Sequence, residues 1–408
     1  MQITPPQHTV ATVNLISAEP KVPAVFDFHI EALRGIAALL VVLSHVLTNE
    51  FHLDPGYRLT GIELYSTPGH LSVLIFFILS GYVIGLTNKV PIVTNLQRYQ
   101  YLKKRFVRLY PLYFIAVLFA VTVALYTQQP IKLIQVGWHL VFGQVLFTEV
   151  LYANQPLWSL SYEVTYYLLF LLLSAYQWQP VTIAIICALI GICNKFVPGF
   201  PPVVTSYSYG ACFWLLGLFM SKLPRRNQPV QFGVLLAFIL LMLCYDRLDI
   251  FYRSLIHVNM NFTEQEVHSF FQRAITFADF SLLLFCWPLL LRFTNRYSTG
   301  ILWLERLIFC SPGIYLIGQL IARRGHYIEF FEPLTGFIVL YICSMIVYLS
   351  QTYWSKFSEY LLNKAVPLGS ISYGVYIIHF PILLLFQRVG VVSGSLLTFV
   401  LRLFLFMF

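Results

Sequence analysis

Charge is what this chain has least of. Asp, Glu, Lys and Arg together make up 11% of its 408 residues, against about 25% in an ordinary soluble domain. So few charges could not wet the surface of the two or three soluble domains that the length alone would suggest. Acidic residues are the scarcer kind, 17 against 26 basic ones, and the excess gives a formal net charge of +9. In a soluble protein such an excess would point to nucleic acid. Here the Lys and Arg fall in short loops between apolar runs, as charge retained on the cytoplasmic side of a membrane does, which argues against a nucleic-acid partner. Cysteine is also sparse and badly spaced for chemistry. Cys187, Cys193, Cys212, Cys244, Cys286, Cys310 and Cys343 all lie inside apolar runs. Their number is odd and no metal-ligand spacing occurs, so neither a disulfide framework nor a metal site is expected.

What the chain has in abundance is apolar sequence, 58% of its residues. A helix needs about 20 apolar residues to cross a bilayer. Runs of that order lie at roughly 30–48, 71–88, 107–127, 157–176, 180–197, 204–221, 230–246, 275–291, 300–321, 334–350 and 371–387, with a last one at 389–408. The expected fold is all-α, a polytopic transmembrane bundle of about ten to twelve spans. Residues 1–25 read as a polar, Pro-containing cytoplasmic tail without fixed structure, and 26–408 as one membrane domain. The first run follows that tail, carries Arg34 and His45 and lacks a small-residue cleavage site, so it reads as a retained span rather than a signal peptide. The last run stops at Phe408 with no polar cap behind it, which fits either a fragment or a chain ending at the membrane face.

Basic loops set the expected orientation. Lys89, Arg98, Lys103, Lys104, Arg105 and Arg108 crowd one segment, and Lys222, Arg225 and Arg226 another; both are expected inside, with the N-terminus. The loop 49–70, with Glu50, Asp54 and Glu63, then falls outside. This arrangement requires that the ambiguous stretch 131–150, with Lys132, Gln135, His139 and Glu149, does not span; an outer interfacial or re-entrant helix suits it. The polar stretch from Asp246 to Arg273 falls outside and contains the sequon Asn261-Phe262-Thr263.

Ionisable groups inside a bilayer are costly and each is a functional hypothesis. Arg34 and His45 are eleven residues apart, about three turns and roughly 16 Å along one helix face. Arg34 also reads as a snorkelling interfacial residue, and His45 as a hydrogen-bonded interior one. Arg105 and Arg108 share a face; they suit bidentate grip of the phosphates of a nucleotide-containing donor, or simply mark the inner side. Ser159 and Glu163 share another face just after Trp158. There a carboxylate is partly explained by the helix dipole, and could equally orient an imidazole or bind sugar hydroxyls, with Trp158 as a stacking platform. Ser372, Tyr376 and His379 form a polar stripe in an apolar helix, suited to interhelical hydrogen bonding or to a site.

Taken in order, five segments resemble membrane acyltransferase family 3. They are Ile30 through His45, Phe76-Phe77-Ile78-Leu79-Ser80-Gly81-Tyr82, Arg105 to Pro111, Trp158 to Glu163, and Ile371 to Pro381. The family's Arg-ten-residues-His pattern falls on Arg34 and His45, its Arg-x-x-Arg pattern on Arg105 and Arg108, and its Ser-Leu-x-x-Glu pattern on Ser159, Leu160 and Glu163. Ile378 and Phe380 flank His379 where Trp is common in the family, a departure expected to alter packing more than chemistry. The resemblance implies transfer of an acyl group, usually acetyl from acetyl-CoA arriving from the cytoplasm, to a hydroxyl of a surface glycan or related small acceptor, with no tightly bound cofactor. His45 is then the expected general base, supported by Glu163. Arg34, Arg105 and Arg108 would bind the donor, and Trp158, Ser159, Ser372, Tyr376 and His379 would support the acceptor or the site. No appended esterase-like domain is evident, so transfer is expected to be completed in the membrane domain or by a separate partner. The expected location is a bacterial inner membrane. The rival reading is a transporter or flippase of lipid-linked or acylated sugars, in which the same polar groups line a route. No repeat is evident in the two halves, which weakens that rival.

Overall fold

A backbone in lipid must satisfy its own hydrogen bonds, which leaves helices or closed barrels, and this chain forms helices. The computed structural model describes residues 28–60, 65–193, 196–197, 199–260, 274–323, 327–389 and 392–407. In chain order the helices are α1 (Phe28–Thr48), α2 (Glu50–Leu53), α3 (Gly69–Thr87), α4 (Asn95–Tyr126), α5 (Leu133–Leu140), α6 (Trp158–Ala175), α7 (Pro180–Cys193) and α8 (Pro202–Met220). They continue as α9 (Phe232–Leu248), α10 (Ile250–Met260), α11 (Phe280–Phe293), α12 (Leu302–Ala322), α13 (Tyr327–Phe331), α14 (Thr335–Leu349), α15 (Gln351–Arg388) and α16 (Leu396–Met407).

Among the described residues, eight helical stretches are long and apolar enough to cross a membrane: 28–48, 69–87, 95–126, 152–175, 202–220, 299–322, 327–349 and 351–388. The remaining expected spans are shorter helices. The runs at 180–197, 230–246 and 275–291 form α7, α9 and α11, with 14, 17 and 14 residues. The expected ten to twelve spans thus become eight full-length ones and a set of shorter apolar helices. The stretch 131–150 forms only the eight-residue α5 and then turns, far too short to span.

Two helices begin well before their apolar runs. Helix α4 starts at Asn95, where Thr94 and Gln97 form a reciprocal capping box, so the basic segment is a helical extension of the span rather than a loop. Helix α15 starts at Gln351, twenty residues before the apolar run at 371, and buries Ser358 and Leu362 on one face of that polar extension. Charge on one side of an amphipathic helix lowers mean hydropathy without breaking the helix. The expected loop after Asp246 likewise contains α10, whose Phe251 N–H donates to the Asp249 carboxylate at 2.8 Å. The sequon Asn261-Phe262-Thr263, the tail 1–25 and Phe408 lie outside the described residues.

The bundle is organised around α1 against α15 and α3 against α8, with α14 on α9 and α7 on α8. At the first of these contacts a Cβ on Gly35 would lie 2.5 Å from the Leu368 Cβ, and one on Gly369 would lie 2.3 Å from the Glu31 carbonyl oxygen. Only glycine allows the two backbones so close.

Two polar clusters pin the ends. Arg292 on α11 donates to both carboxylate oxygens of Glu305 on α12, at 2.5 and 2.9 Å, and to Gln231 at 2.7 Å. Its guanidinium also lies 3.9 Å from the Tyr297 ring centroid, and the Tyr348 hydroxyl donates to Glu305 at 3.0 Å. At the opposite end of α1, buried Asp54 accepts from Ser393, from Thr398 at 2.7 Å, and from the Gly394 and Gly56 amides at 3.1 and 3.2 Å. Burial alone would raise its carboxyl, but these donors hold it below the usual carboxylate range. Arg402 donates to the carbonyls of Leu53, Phe386, Val389 and Val392, tying α16 to the end of α15.

Removing one partner of a buried ion pair strands the other. Arg292→Leu is expected to cost about 3–5 kcal/mol, and Arg292→Leu with Glu305→Leu to recover most of that, read as thermal unfolding in detergent. Because the Asp54 pKa is depressed on folding, its contribution is complete above the ordinary carboxylate pKa and lost as pH falls through the folded value. Wild type should therefore lose more stability than Asp54→Asn between neutral and strongly acidic pH, by the same unfolding measurement.

Candidate functional site

Five segments converge on one cavity of about 280 Å³. Helix α1 contributes Glu31 and Arg34, α3 contributes Val73, Phe76, Phe77 and Ser80, and α4 contributes Arg105 and Arg108. Helix α6 supplies Ser159, Glu163 and Tyr167, and α15 supplies Ser372, Tyr373 and Tyr376. The α6 trio falls at i, i+4 and i+8, one stripe on one face. Arg108 is exposed and Tyr376 buried, so the cavity runs inward from a cationic mouth.

Three guanidinium groups face two carboxylates here, leaving an excess of positive charge. Arg34 is paired with Glu31, its Nη1 donating to the two carboxylate oxygens at 2.7 and 2.9 Å. Arg105 is less fully engaged. Its guanidinium lies 5.3 and 5.6 Å from the ring centroids of Tyr101 and Tyr167, and one Nη donates weakly to Thr87 at 3.4 Å. Its buried Nε–H has no partner among the described residues.

Glu163 accepts from the Ser80 hydroxyl at 3.1 Å and from the Tyr167 hydroxyl. The expectation that it supports His45 is not what the contacts show: His45 meets His379 instead. The Nδ1 of His45 lies 3.0 Å from the Val41 carbonyl oxygen and 3.0 Å from the Nε2 of His379. The His379 Nδ1 in turn lies 2.8 Å from the Tyr376 carbonyl oxygen and 3.3 Å from that of Val375. Phe380 stands edge-on to His45, with centroids 5.5 Å apart.

Between the cavity and the imidazole pair stands Tyr376. Its hydroxyl donates to the Pro156 carbonyl at 3.0 Å and meets the Ser159 hydroxyl at 2.7 Å. It is one helical turn before His379 on the same face. Ser372 turns its hydroxyl back onto the Gly369 carbonyl at 2.7 Å. Trp158 does not line the cavity. It is 8% exposed and packs edge-on against Phe77 and Tyr162, because one residue along a helix is about 100° around it. A stacking platform for a sugar is therefore not available in this arrangement.

Three cavity residues were not singled out from the sequence. Glu31 stands three residues before Arg34, and Tyr167 four after Glu163; extending each stripe by one turn finds both. Ser80 stood inside a quoted segment without a role, and only the packing of α3 on α6 brings it to Glu163.

The helical bundle and its cavity define a multi-pass membrane protein with an arginine-lined cavity between its helices. The acyltransferase domain model of family 3 matches residues 28–408, and the chain belongs to that family. One similar curated protein is acyltransferase MdmB of Streptomyces mycarofaciens, 28% identical over 148 residues, which cover 34% of this chain and 36% of the relative. The match thus spans little more than a third of that relative's length. No solved structure matches.

Proposed function

We propose that this protein is an O-acyltransferase that moves an acyl group, acetyl in the simplest case, from acyl-CoA to a hydroxyl of a cell-surface glycan or a related acceptor. The observation that carries the reading is the cavity that opens on Arg105 and Arg108 and ends at Tyr376, one turn from His379 and its partner His45. Phosphates of the donor suit the mouth, which Arg105 and Arg108 line with guanidinium groups able to donate to anionic oxygens. The pantetheine arm suits the cavity, whose wall includes Val73, Phe76, Phe77 and Leu79. Glu31, paired with Arg34, and Glu163 offset part of the guanidinium charge and leave a net positive cavity for the anionic donor.

Transfer requires that the acceptor hydroxyl lose its proton as its oxygen attacks the thioester carbonyl. His45 takes that proton, the C–S bond breaks as the C–O ester bond forms, and the CoA thiolate recovers the proton from His45. A neutral imidazole suits the task because its unperturbed pKa lies near working pH. The positive-inside pattern puts the Arg105–Arg108 mouth and the N-terminus in the cytoplasm, as a bacterial inner-membrane enzyme using a cytoplasmic donor and an outer acceptor needs.

Membrane vesicles supplied with labelled acetyl-CoA test the reading. Wild type should place label in an envelope glycan, and His45→Ala should lose about a hundredfold or more in rate; equal transfer by both would remove His45 from the chemistry. Arg105→Ala with Arg108→Ala should raise the KM for acetyl-CoA tenfold or more, since a hydrogen bond to a charged group is worth about 1.5–3 kcal/mol. Acetyl-pantetheine, which lacks the phosphates, should be used equally by that variant and wild type. If acetyl-CoA shows no such loss, the phosphate assignment is wrong.

A further inference from the structure

We propose that His379 is a positioning residue that holds His45 in a single tautomer, with the lone pair of His45 Nε2 free to act as the base. This rests on the role of His45 proposed above and adds the group that makes the role possible.

His379 Nδ1 faces two backbone carbonyl oxygens, Tyr376 at 2.8 Å and Val375 at 3.3 Å. A carbonyl can only accept, so Nδ1 carries the proton and the Nε2 of neutral His379 is a bare lone pair. That lone pair lies 3.0 Å from His45 Nδ1. His45 Nδ1 also faces the Val41 carbonyl at 3.0 Å, a second acceptor, so this nitrogen too carries its proton. Every partner around the pair is thus an acceptor pointing one way. The proton positions are assigned from these partners, and the assignment leaves His45 Nε2 as the unprotonated nitrogen.

The Val41 carbonyl alone would not be enough. It belongs to the same helix turn as His45, and an imidazole that rotates about its side-chain torsions leaves it. His379 comes from α15 and is 3% exposed, so it is fixed by packing rather than by solvent. When Nε2 takes the acceptor's proton, the cation that forms on His45 strengthens the Nδ1–H···Nε2 bond, since a charged donor binds more tightly than a neutral one. His379 therefore orients the base and stabilises its protonated form, as a third group does in a nucleophile–base–orienter array.

Two measurements test this. In isotope-labelled wild type held in lipid nanodiscs, the histidine nitrogen spectrum should show His45 protonated on Nδ1 and bare on Nε2, and His379 protonated on Nδ1. This reading needs neither turnover nor a variant, so it stands apart from whether the acyl transfer itself is correct. His45 protonated on Nε2 instead would overturn the proposal. In the vesicle assay, His379→Phe keeps the ring volume but removes the acceptor, and should lower kcat about a hundredfold or more with KM for acetyl-CoA unchanged. His379→Gln places an amide oxygen where Nε2 stood and should remain within about tenfold of wild type, against the range of 10²–10⁴ for general-base effects. A His379→Phe enzyme as fast as wild type, or a His379→Gln enzyme as slow as His379→Phe, would reduce His379 to packing and overturn the assignment.

Discussion

The approach of α1 to α15 at Gly35 and Gly369 sets the register on which the site depends. Glu31 and Gly35 touch Gly369 and Leu368 at one level of the bundle. Ten residues further along each helix, His45 and His379 meet at 3.0 Å. Equal steps on both helices mean that the two run parallel, with about 15 Å of rise between the contacts. A side chain at either glycine would have to push backbone aside. That would separate the imidazoles or slide one helix along the other, and a slide of one residue rotates a helical side chain by about 100°. Backbone proximity at one end thus sets the spacing of the two imidazoles at the other. Beside this contact the same two helices supply Glu31, Arg34, Ser372 and Tyr376 to the cavity, so one helix pair builds both halves of the site.

Polar groups in a bundle of this kind divide into those that are used up by the fold and those left over. Arg292, Arg402 and Asp54 belong to the first kind: each is buried and each is surrounded by complementary partners. They could be mistaken for site residues on burial alone, since intramembrane charge is a default functional signal. What separates them is closure. Arg402 meets four backbone carbonyls and Arg292 meets a carboxylate, an amide and a ring, which leaves no room or need for a ligand. Arg105 differs because its neighbours are aromatic faces and a distant hydroxyl, and its Nε–H is unmet.

How legible this was in the sequence varied with the kind of signal. Apolar runs of span length located the long helices, because hydropathy and length are local properties. They did not locate the polar first half of α15 or the basic first turns of α4, since an amphipathic extension has the average hydropathy of a loop. They also marked α7, α9 and α11, which are only 14, 17 and 14 residues long, because run length says nothing of where a helix stops. Within the site, stripes on single helices were readable: Arg34 with His45, Arg105 with Arg108, Ser159 with Glu163, Ser372 with Tyr376 and His379. The pairing between helices was not. Glu163 next to Ser80, and His45 next to His379, are tertiary contacts that no stripe on a single helix shows. Trp158 failed for a simpler reason: adjacency in sequence to Ser159 places it on a different face.

The separation of the two charge environments bears on why a neutral base is useful here. Guanidinium groups gather at the mouth, where Arg108 is exposed. The imidazoles lie beyond Tyr376, in a neighbourhood of Phe380 and backbone carbonyls with no carboxylate hydrogen-bonded to either ring among the described residues. A carboxylate beside His45 would favour the imidazolium and fill the lone pair before an acceptor arrived. Carbonyl oxygens orient the rings without supplying a full negative charge, so in the proposed transfer the pair rests neutral and takes up a proton only as the hydroxyl attacks. The cost is that the cation formed in the transfer has only dipoles to stabilise it. A second imidazole, polarisable and hydrogen-bonded in line, meets that need better than a single carbonyl would, which gives a physical reason for two histidines rather than one.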